Sequence, residues 1–342
     1  MNYQLRPISV GKIVATLVSC VTFTFSTLGA VSAMSLGANS PVPNFASLQK
    51  QLTAALSSTR LPSQTVSSLG LISKGNWWKY TGNSMTLTSC NPLTNPAEAK
   101  NPRPCFYGNT RAKRTIVIFG DSMVGNWLPA LDVFGRTANY RIADFSFQGC
   151  PVEDIASNWS AGGAMTSEEQ AACILWHTTM PKSVAALNPV AIISTSIASS
   201  QASTNPGDSW YINGLQTEFD RMTSSMTTQP VKIIVQSTPL LPWNAPDCLA
   251  RHIASANVCT LRYVKGQLGS GLYSSRLVRD SAAALQIGAQ LLPANIWVCI
   301  NGACPATLQG HLIYVDSDHI STWFSLYISK VFGQTLAPLL LG

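Results

Sequence analysis

The chain has 342 residues, of which 46% are hydrophobic and only 11% are charged, whereas charged residues make up roughly 25% of ordinary soluble domains. This length accommodates one large domain with an appendage. The formal net charge is +7, but lysines and arginines are scattered singly apart from the cluster at 111–114. This pattern argues against a nucleic-acid partner, and it favours an exported protein whose mildly basic surface suits anionic cell-envelope polymers.

The first 33 residues have the layout of a secretory signal. Arg6 and Lys12 precede an uncharged apolar segment at 13–30, and Val31 and Ala33 are small residues that suit a cut after Ala33. An apolar segment of this length is also near the lower limit for crossing a bilayer, so an uncleaved membrane anchor is the alternative. Both alternatives predict export, with membrane contact only through this segment.

Cysteine usage predicts an oxidising compartment. Eight cysteines follow the leader, and an even number in an exported chain is typical of disulfides. Because they form four couples close in sequence, we expect the pairs Cys90 with Cys105, Cys150 with Cys173, Cys248 with Cys259, and Cys299 with Cys304. Zinc binding is the alternative, although no Cys-x-x-Cys pair occurs and no histidines cluster nearby. We therefore expect no metal and no cofactor.

The segment 34–113 is predicted to be a tether followed by a cysteine-containing appendage. Its first part is rich in Ser, Ala, Thr and Pro and contains one helical pattern, Phe45 to Leu56. Its second part contains Trp77 and Trp78 before a loop rich in Asn and Pro. These tryptophans either line a sugar-binding surface or pack the appendage against the core.

A strand, a turn and a helix follow one another after residue 114. The apolar and β-branched run 115–119 predicts a strand buried on both faces, and apolar residues spaced by three and four from Val124 predict a helix despite Pro129. The tripeptide Gly-Asp-Ser lies between them and ends at Ser122. This places the Ser122 hydroxyl in the crevice outside the strand ends, near free helix N–H groups. The alternative is an ordinary turn and helix cap.

A second motif near the end of the chain contains the groups that a nucleophilic serine needs. Asp316 stands three residues before His319, and one helical turn would bring this carboxylate to the imidazole. An imidazole that accepts the serine proton and a carboxylate that orients it complete a triad. Asp318 is expected to face away as a solvated or capping carboxylate, and Ser321 to cap the last helix. His177 is expected to be packed or exposed, without a catalytic role.

The remaining elements alternate between strands and helices. Strands are predicted at 140–147, 190–195, 231–237 and 295–300, and helices at 168–187, 210–226, 270–291 and 321–340. Such alternation implies a parallel sheet covered by helices on both faces. The expected fold is therefore α/β, a three-layer flavodoxin-like sheet that follows the N-terminal leader and appendage.

Taken in order, these motifs resemble the SGNH/GDSL hydrolase superfamily, and more narrowly the extracytoplasmic SGNH domain fused to acyltransferase-3 membrane proteins. The resemblance rests on GDSMVGNWLPALD, SFQGCPV, ACILWH, STPLLP, PDCLAR and VCINGACP, followed by YVDSDHIS. It implies an SGNH hydrolase-like domain over residues 114–342. Within that domain, it implies that Ser122 is the nucleophile, His319 the proton acceptor and Asp316 the group that orients His319.

The resemblance also concerns the donors that would bind a developing oxyanion. It implies that Gly149 donates a backbone N–H, since a glycine lets the main chain approach a substrate closely. The alternative is that Gly149 only turns the chain before Cys150. The superfamily usually places an asparagine after the next strand, where this chain has Ser194-Thr195-Ser196. Loss of such a donor costs roughly a hundredfold in rate, although the narrower group also often lacks it.

The resemblance implies a serine esterase or O-acyltransferase that moves an acetyl or other short acyl group off or onto a cell-envelope glycan. The acceptor of the acyl-serine decides between these two activities, because the same triad serves both. The sequence lacks the multi-span membrane part of the fusions, so a separate membrane acyl-donor protein is the expected partner. Two alternatives remain: a glycan-binding module with a dormant triad, and a membrane-tethered scaffold.

Overall fold

The computed structural model describes residues 43–71, 96–155, 165–197, 209–262 and 270–341. The predicted leader, Trp77, Trp78 and Cys90 lie outside the described residues. The strands are β1 (Cys105–Gly108), β2 (Thr115–Gly120), β3 (Arg141–Ser146), β4 (Ala191–Thr195), β5 (Val231–Val235), β6 (Leu261–Arg262), β7 (Gln290–Leu292), β8 (Ala303–Cys304), β9 (Thr307–Leu308) and β10 (His311–Leu312).

Helices cover the sheet and begin before its first strand. They are α1 (Phe45–Ala55), α2 (Ser63–Leu71), α3 (Val124–Ala138), α4 (Ser167–Ala186), α5 (Ser209–Thr223), α6 (Ala245–Arg251), α7 (Ser270–Ile287), α8 (Asn295–Val298), α9 (Thr322–Tyr327) and α10 (Ser329–Leu339), with short 3-10 turns at Pro96–Lys100 and Ala256–Cys259. None of the helices in the described ranges combines the length and the apolar character needed to cross a bilayer.

The central sheet contains six strands in the order β1-β3-β2-β4-β5-β7. The edge strand β1 pairs antiparallel with β3, and the other neighbours pair in parallel. The five parallel strands follow the flavodoxin-like order, which confirms the predicted fold class. Because β2 lies between β3 and β4, its carboxyl end opens at the point where the strand order reverses, the usual ligand crevice of such sheets.

Alternate residues of β2 enter different cores. Ile116 and Ile118 belong to the core that contains α3, whereas Val117 and Phe119 belong to the core on the opposite face. There the ring of Phe119 meets the ring of Phe219 from α5 edge to face, with centroids 5.6 Å apart. The continuous apolar run at 115–119 is thus explained by helices packed on both faces of the strand.

Two elements from the segment predicted as tether and appendage belong to the same unit as the rest of the described chain. Helix α1, close to the predicted 45–56, is capped by the side chain of Asn44 and buries Leu48 and Leu52 in the core. The Gln51 side chain accepts a hydrogen bond of 2.7 Å from the hydroxyl of Tyr327. Strand β1, from the same segment, completes the edge of the sheet. Helix α1 therefore contributes to the core, and β1 extends the sheet at its edge.

The prediction of a strand at 295–300 is wrong. The structure has the short helix α8 there, in which Trp297 and Val298 are buried. The indole of Trp297 packs against Trp127, with ring centroids 5.4 Å apart. Since a short apolar run does not reveal its period, a buried helical turn and a buried strand look alike in sequence.

Two predicted helices have different limits in the structure. The helix predicted at 270–291 ends at Ile287, and Gly288 follows with φ 68°, the left-handed conformation in which helices commonly end. The next residues form β7, a strand that the prediction missed. The helix predicted at 321–340 is interrupted at Ile328, so it becomes α9 and α10. Its predicted cap is correct, because Ser321 Oγ accepts from the backbone N–H of Phe324.

Three of the four predicted disulfides are present: Cys150–Cys173, Cys248–Cys259 and Cys299–Cys304. Cys105 is also disulfide-bonded; its predicted partner, Cys90, lies outside the described residues. Sulfurs bonded in pairs are not the thiolates that zinc requires. These cysteines therefore serve as cross-links, two of which fix loops after strands of the central sheet.

Candidate active site

Ser122 lies at the carboxyl end of β2, in a turn that only glycine permits. Gly120 has φ 147°, and a Cβ atom on it would lie 1.8 Å from the carbonyl oxygen of Thr195 in β4. The two strands therefore approach each other too closely for any side chain at this position. Helix α3 begins two residues after Ser122, so the half-buried hydroxyl of Ser122 lies near the N-terminal end of this helix.

Asp121 joins the Ser122 turn to the end of β4. Its Oδ1 accepts the backbone N–H of Met123 at 2.8 Å, and its Oδ2 accepts the hydroxyl of Ser196 and the N–H of Ile197, both at 2.9 Å. Burial raises the pKa of Asp121, and these hydrogen bonds oppose the rise. The superfamily's asparagine is expected close to Ser196. Here the Ser196 hydroxyl donates its hydrogen bond to the carboxylate of Asp121.

The segment that carries His319 is an irregular loop and not a helical turn. An antiparallel bridge between Tyr314 and Ile320 closes it, and the N–H of Val315 donates to the carbonyl of His319 at 2.9 Å. Asp316 Oδ1 accepts the backbone N–H groups at 318 and 319, at 2.9 and 2.7 Å. The carboxylate thus holds its own loop in shape while its other oxygen remains available.

That second oxygen meets the imidazole, and the imidazole meets the serine. His319 Nδ1 lies 2.7 Å from Asp316 Oδ2, and His319 Nε2 lies 2.8 Å from Ser122 Oγ. A carboxylate only accepts hydrogen bonds, so the proton between Asp316 and His319 is on Nδ1 in the neutral ring. Nε2 then carries the lone pair that faces the hydroxyl. The two distant motifs therefore meet in one hydrogen-bonded line.

Burial and charge act in opposite directions on His319. Burial opposes protonation of the ring, but the hydrogen bond and charge of Asp316, with the charges of Asp318 and Asp121, outweigh it and raise the pKa of His319 to about 9. For Asp316, burial favours the neutral acid, and the hydrogen bond and charge of His319 reverse this and lower its pKa. The pair therefore stabilises an imidazolium beside a carboxylate.

Asp318 was predicted to face away from His319 as a solvated or capping carboxylate, but it faces the ring. It is largely buried, its Oδ1 accepts the hydroxyl of Ser317 at 2.7 Å, and its Oδ2 lies 3.8 Å from His319 Nδ1. Burial raises the pKa of Asp318, and the charge of His319 opposes this. Asp316, Asp318 and His319 lie close enough together to ligate one ion, but Nδ1 of the ring is already hydrogen-bonded to Asp316.

Asn126 fixes the position of the His319 loop, and the sequence analysis missed it. Its side chain is buried on the first turn of α3, and its Oδ1 accepts the backbone N–H of Ile320 at 3.0 Å. This bond joins the helix that follows Ser122 to the residue that follows His319. The only sequence signal was a polar side chain four residues after Ser122, on the helix face that packs inward.

A second contact holds the same loop from the other side. The proline-rich segment after β5 leads into α6. The N–H of Leu241, before that helix, donates to the carbonyl of Ser317 at 2.7 Å, and the N–H of Ala245, its first residue, donates to the carbonyl of Asp316 at 3.1 Å. These bonds fix the backbone at Asp316 and Ser317, and so the position of the Asp316 carboxylate.

Gly149 lies in a turn beside the Ser122 loop. The N–H of Phe147, which follows β3, donates to the carbonyl of Gly120 at 2.9 Å, and the N–H of Cys150 donates back to Phe147 at 3.0 Å. Between them Gly149 has φ 75°, a conformation that favours glycine. The disulfide from Cys150 to Cys173 then ties this turn to α4.

A second histidine–carboxylate pair lies behind this turn. His177 Nδ1 is 2.7 Å from Glu218 Oε1, and both side chains are fully buried. His177 Nε2 lies 3.6 Å from Cys150 Sγ, an atom of the disulfide. Arg221 also contacts Glu218, at 3.4 Å. The sequence analysis noted no carboxylate partner for His177 because Glu218 lies on a different helix.

Together, the flavodoxin-like sheet and a serine–histidine–aspartate line at its carboxyl edge define the class of SGNH hydrolase domains. The family profile described as "SGNH domain (fused to AT3 domains)" matches residues 89–334. This match covers more than half of the chain, which therefore belongs to this family. A search of curated proteins finds no matching sequence.

One solved structure shares the fold at low sequence identity. The periplasmic domain of a lipopolysaccharide acetyltransferase from Salmonella ser. Paratyphi A is similar, with a TM-score of 0.58, 14% identity, and coverage of 77% of this chain and 97% of that chain. Est24, a carbohydrate acetylesterase from Sinorhizobium meliloti, gives a TM-score of 0.40, 15% identity, and coverage of 66% and 99%.

Proposed function

We propose that this protein is an extracytoplasmic serine esterase or O-acyltransferase that acts on acyl esters, in the first instance acetyl esters, of a cell-envelope glycan. The observation that carries the proposal is the hydrogen-bonded line from Ser122 through His319 to Asp316. Membership of the SGNH family supports the reaction type, and the lipopolysaccharide acetyltransferase domain of similar fold supports the substrate class.

In the proposed reaction Ser122 Oγ attacks the ester carbonyl while His319 Nε2 takes the hydroxyl proton. The tetrahedral intermediate collapses, the bond to the leaving alcohol breaks, and the imidazolium returns the proton to that alcohol. Ser122 is then acylated. Water or a sugar hydroxyl gives a proton to His319 and attacks the acyl carbonyl. The bond to Ser122 Oγ then breaks, His319 returns the proton to Oγ, and the acid or the new ester is released.

Asp316 has two roles in this scheme. It holds His319 in the tautomer whose Nε2 faces the serine, and its charge stabilises the imidazolium formed in each step. The ring accepts a proton only when neutral. Since the pKa of His319 is raised to about 9, we expect kcat/KM of the free enzyme to increase with pH up to that value.

The oxyanion would be stabilised by backbone donors. Gly149 is the proposed residue, since its turn is hydrogen-bonded to the loop that precedes Ser122, and the N-terminal end of α3 supplies a favourable dipole. The Ser196 hydroxyl does not take the place of the superfamily's asparagine, because it donates to Asp121. A site with fewer side-chain donors is expected to be slow with water and to depend on a well-bound acceptor or donor.

Transfer requires an acyl donor, which we propose is a membrane protein with an AT3 domain, because the family is described by its fusion to such domains. The predicted leader at 1–33 would place the protein outside the cytoplasm, as a cleaved signal or an anchor. Disulfides such as Cys150–Cys173 support an oxidising compartment. Membrane contact is proposed only through the leader.

The replacement Ser122→Ala tests the proposal. Turnover of nitrophenyl acetate and covalent labelling by a serine-directed fluorophosphonate are measured for the wild type, for S122A and for a control, Ser225→Ala, at an exposed serine of the same chain. We expect S122A to lose labelling and roughly 10⁴- to 10⁶-fold in kcat, and S225A to match the wild type. Unchanged turnover and labelling in S122A would favour a glycan-binding or scaffold module with a dormant triad. Mass spectrometry of acylated Ser122 after incubation with candidate donors would identify the acyl group.

A further inference from the structure

Asp318 is a second carboxylate beside the ring of His319. Its Oδ2 lies 3.8 Å from His319 Nδ1, the nitrogen that is 2.7 Å from Asp316 Oδ2. The longer separation is outside hydrogen-bond range, but a charge within about 4–6 Å still changes the ionisation of a neighbouring group. The Asp318 side chain is only 13% exposed, so solvent screens its charge weakly. The imidazole is therefore flanked by two acids, one of which is hydrogen-bonded to it.

Three hydrogen bonds hold Asp318 in this position. Its Oδ1 accepts the hydroxyl of Ser317 at 2.7 Å, and its backbone N–H donates to Asp316 Oδ1 at 2.9 Å. Its carbonyl accepts the hydroxyl of Thr238, which follows β5, at 3.2 Å. The other carboxylate oxygen, Oδ2, is the one that faces the ring. The loop thus directs a largely buried carboxylate toward His319, whereas a helix cap or a surface acid would face a helix end or bulk water.

The charges that act on these two groups come from several elements. Burial raises the pKa of Asp318; the charge of His319 opposes this, the charge of Asp316 adds to it, and the charge of Arg276 in α7 opposes it. Burial lowers the pKa of His319, but the hydrogen bond and charge of Asp316, with the charges of Asp318 and of Asp121 in the turn after β2, raise it to about 9. Asp318 thus acts on the ring in the same direction as Asp316.

We propose that Asp318 is a positioning residue of the serine reaction, an anionic second carboxylate that stabilises the imidazolium of His319 while Asp316 orients the ring. This role rests on the proposed function and adds a fourth group to it. When Ser122 Oγ gives its proton to Nε2, the ring becomes a cation beside two carboxylates, and no other proton moves. The same charge also keeps the ring of the free enzyme protonated, so the stronger base is neutral in a smaller fraction of molecules at neutral pH.

Asp318→Asn tests this role, because it removes the charge and keeps an acceptor of the same shape for the Ser317 hydroxyl. Loss of the charge should move the rise of kcat/KM to lower pH by about one pH unit or more. A ring of lower pKa is neutral in more molecules, but it is a weaker base. We therefore expect the nitrophenyl acetate profiles of D318N and the wild type to cross, with D318N roughly threefold faster at pH 7 and roughly threefold slower above the wild-type rise. The rate of fluorophosphonate labelling should show the same crossing.

Three further variants separate the charge of Asp318 from the structure of its loop. Asp318→Ser has a smaller neutral side chain and should move the profile in the same direction as D318N, so that misfolding of one variant does not decide the outcome. Asp318→Glu keeps the charge and should keep the rise closer to its wild-type pH. Thr238→Val removes the hydroxyl bonded to the Asp318 carbonyl and so loosens the same loop. It leaves every charge in place, and the rise should therefore stay at its wild-type pH.

The outcomes distinguish this role from the proposed function. A rise at the wild-type pH in D318N and D318S, or an equal displacement of the rise in T238V, would overturn the role of Asp318 while the enzyme remains active. Rates that decrease by one factor at every pH would do the same, because a purely structural defect leaves the ionisation of His319 unchanged. No turnover by the wild type and no labelling of its Ser122 at any pH would instead overturn the proposed function, and the role of Asp318 with it.

Discussion

Two histidine–carboxylate pairs in this molecule have the same geometry and different surroundings. In both, Nδ1 of the ring lies 2.7 Å from a carboxylate oxygen, in His319–Asp316 and in His177–Glu218. The side chains of the first pair are 22% and 26% exposed, and those of the second are 1% and 0% exposed. The pairing therefore orients an imidazole in either place, and it does not by itself make a catalytic group.

The difference lies in what the second ring nitrogen meets. Nε2 of His319 lies 2.8 Å from the Ser122 hydroxyl, an atom with a proton to give and a crevice beside it. Nε2 of His177 lies 3.6 Å from the sulfur of Cys150, which is bonded to Cys173 and has no proton to transfer. One pair can pass a proton to a substrate, whereas the other only fills and polarises the interior behind the Gly149 turn.

Among changes that distinguish the two pairs, the largest expected effect comes from Asp316→Asn. The amide cannot hold His319 in the same tautomer, so we expect kcat to decrease by roughly 10⁴-fold. Asp316 contributes the strongest interactions that raise the pKa of His319 to about 9. Only the neutral ring accepts the serine proton, so the rise of kcat/KM with pH should move to lower pH in D316N. A pH profile of ester turnover measures both effects.

The exposed Asp220 on α5 provides the matched control. Asp220→Asn removes one negative charge without touching His319, and we expect its pH profile to coincide with that of the wild type. If D316N kept the wild-type pH dependence, His319 would not be the group whose ionisation limits the reaction. The first of the two pairs would then be as structural as the second.

The two pairs also differ in what the sequence reveals. Asp316 and His319 are three residues apart, so their spacing predicted a contact that one short loop then provides. His177 and Glu218 are separated by 41 residues and lie on different helices, so only the packing of those helices unites them. Local spacing thus predicted the catalytic pair but not the buried one.

The same distinction explains the rest of the site. The strand before Ser122 was predictable because a strand covered on both faces is apolar throughout. The solvated role predicted for Asp318 was wrong, since the loop is irregular and turns that carboxylate inward. Asn126 carried no local signal, because its significance depends on the backbone N–H of Ile320, which a distant segment contributes. The missing prediction of β7 has the same cause, as three residues at a sheet edge have no clear period.

An intermediate effect is expected at the buried pair. His177→Leu leaves Glu218 buried with only Arg221, at 3.4 Å, as a partner, so the free energy of unfolding should decrease by about 3 kcal/mol. Thermal or denaturant unfolding in oxidising buffer measures this. In the folded fraction, counted by fluorophosphonate labelling, kcat should stay within about threefold of the wild type.

The double variant His177→Leu/Glu218→Leu is the control for that experiment. It removes the orphaned carboxylate as well as the imidazole, so it should be more stable than His177→Leu alone. A loss of turnover per labelled site, rather than of stability, would contradict the structural role of His177. It would mean that this pair acts on the reaction through the Gly149 turn.

The smallest effect is expected from Asn126→Ala, which tests how His319 is held rather than what it does. The backbone N–H of Ile320 would lose its acceptor, and the loop would hold Nε2 less closely to Ser122. We expect kcat and the rate of fluorophosphonate labelling to decrease together by roughly tenfold, with KM nearly unchanged, because even small misplacement of a catalytic group is costly.

Asn213→Ala removes a comparable side-chain acceptor at the surface of α5 and should leave both rates unaltered. A decrease in stability without any change in the labelling rate would show that the bond supports only the fold. Equal decreases in kcat and labelling would instead show that Asn126 is a positioning residue, which gives the partly exposed pair the fixed geometry that packing alone gives the buried pair.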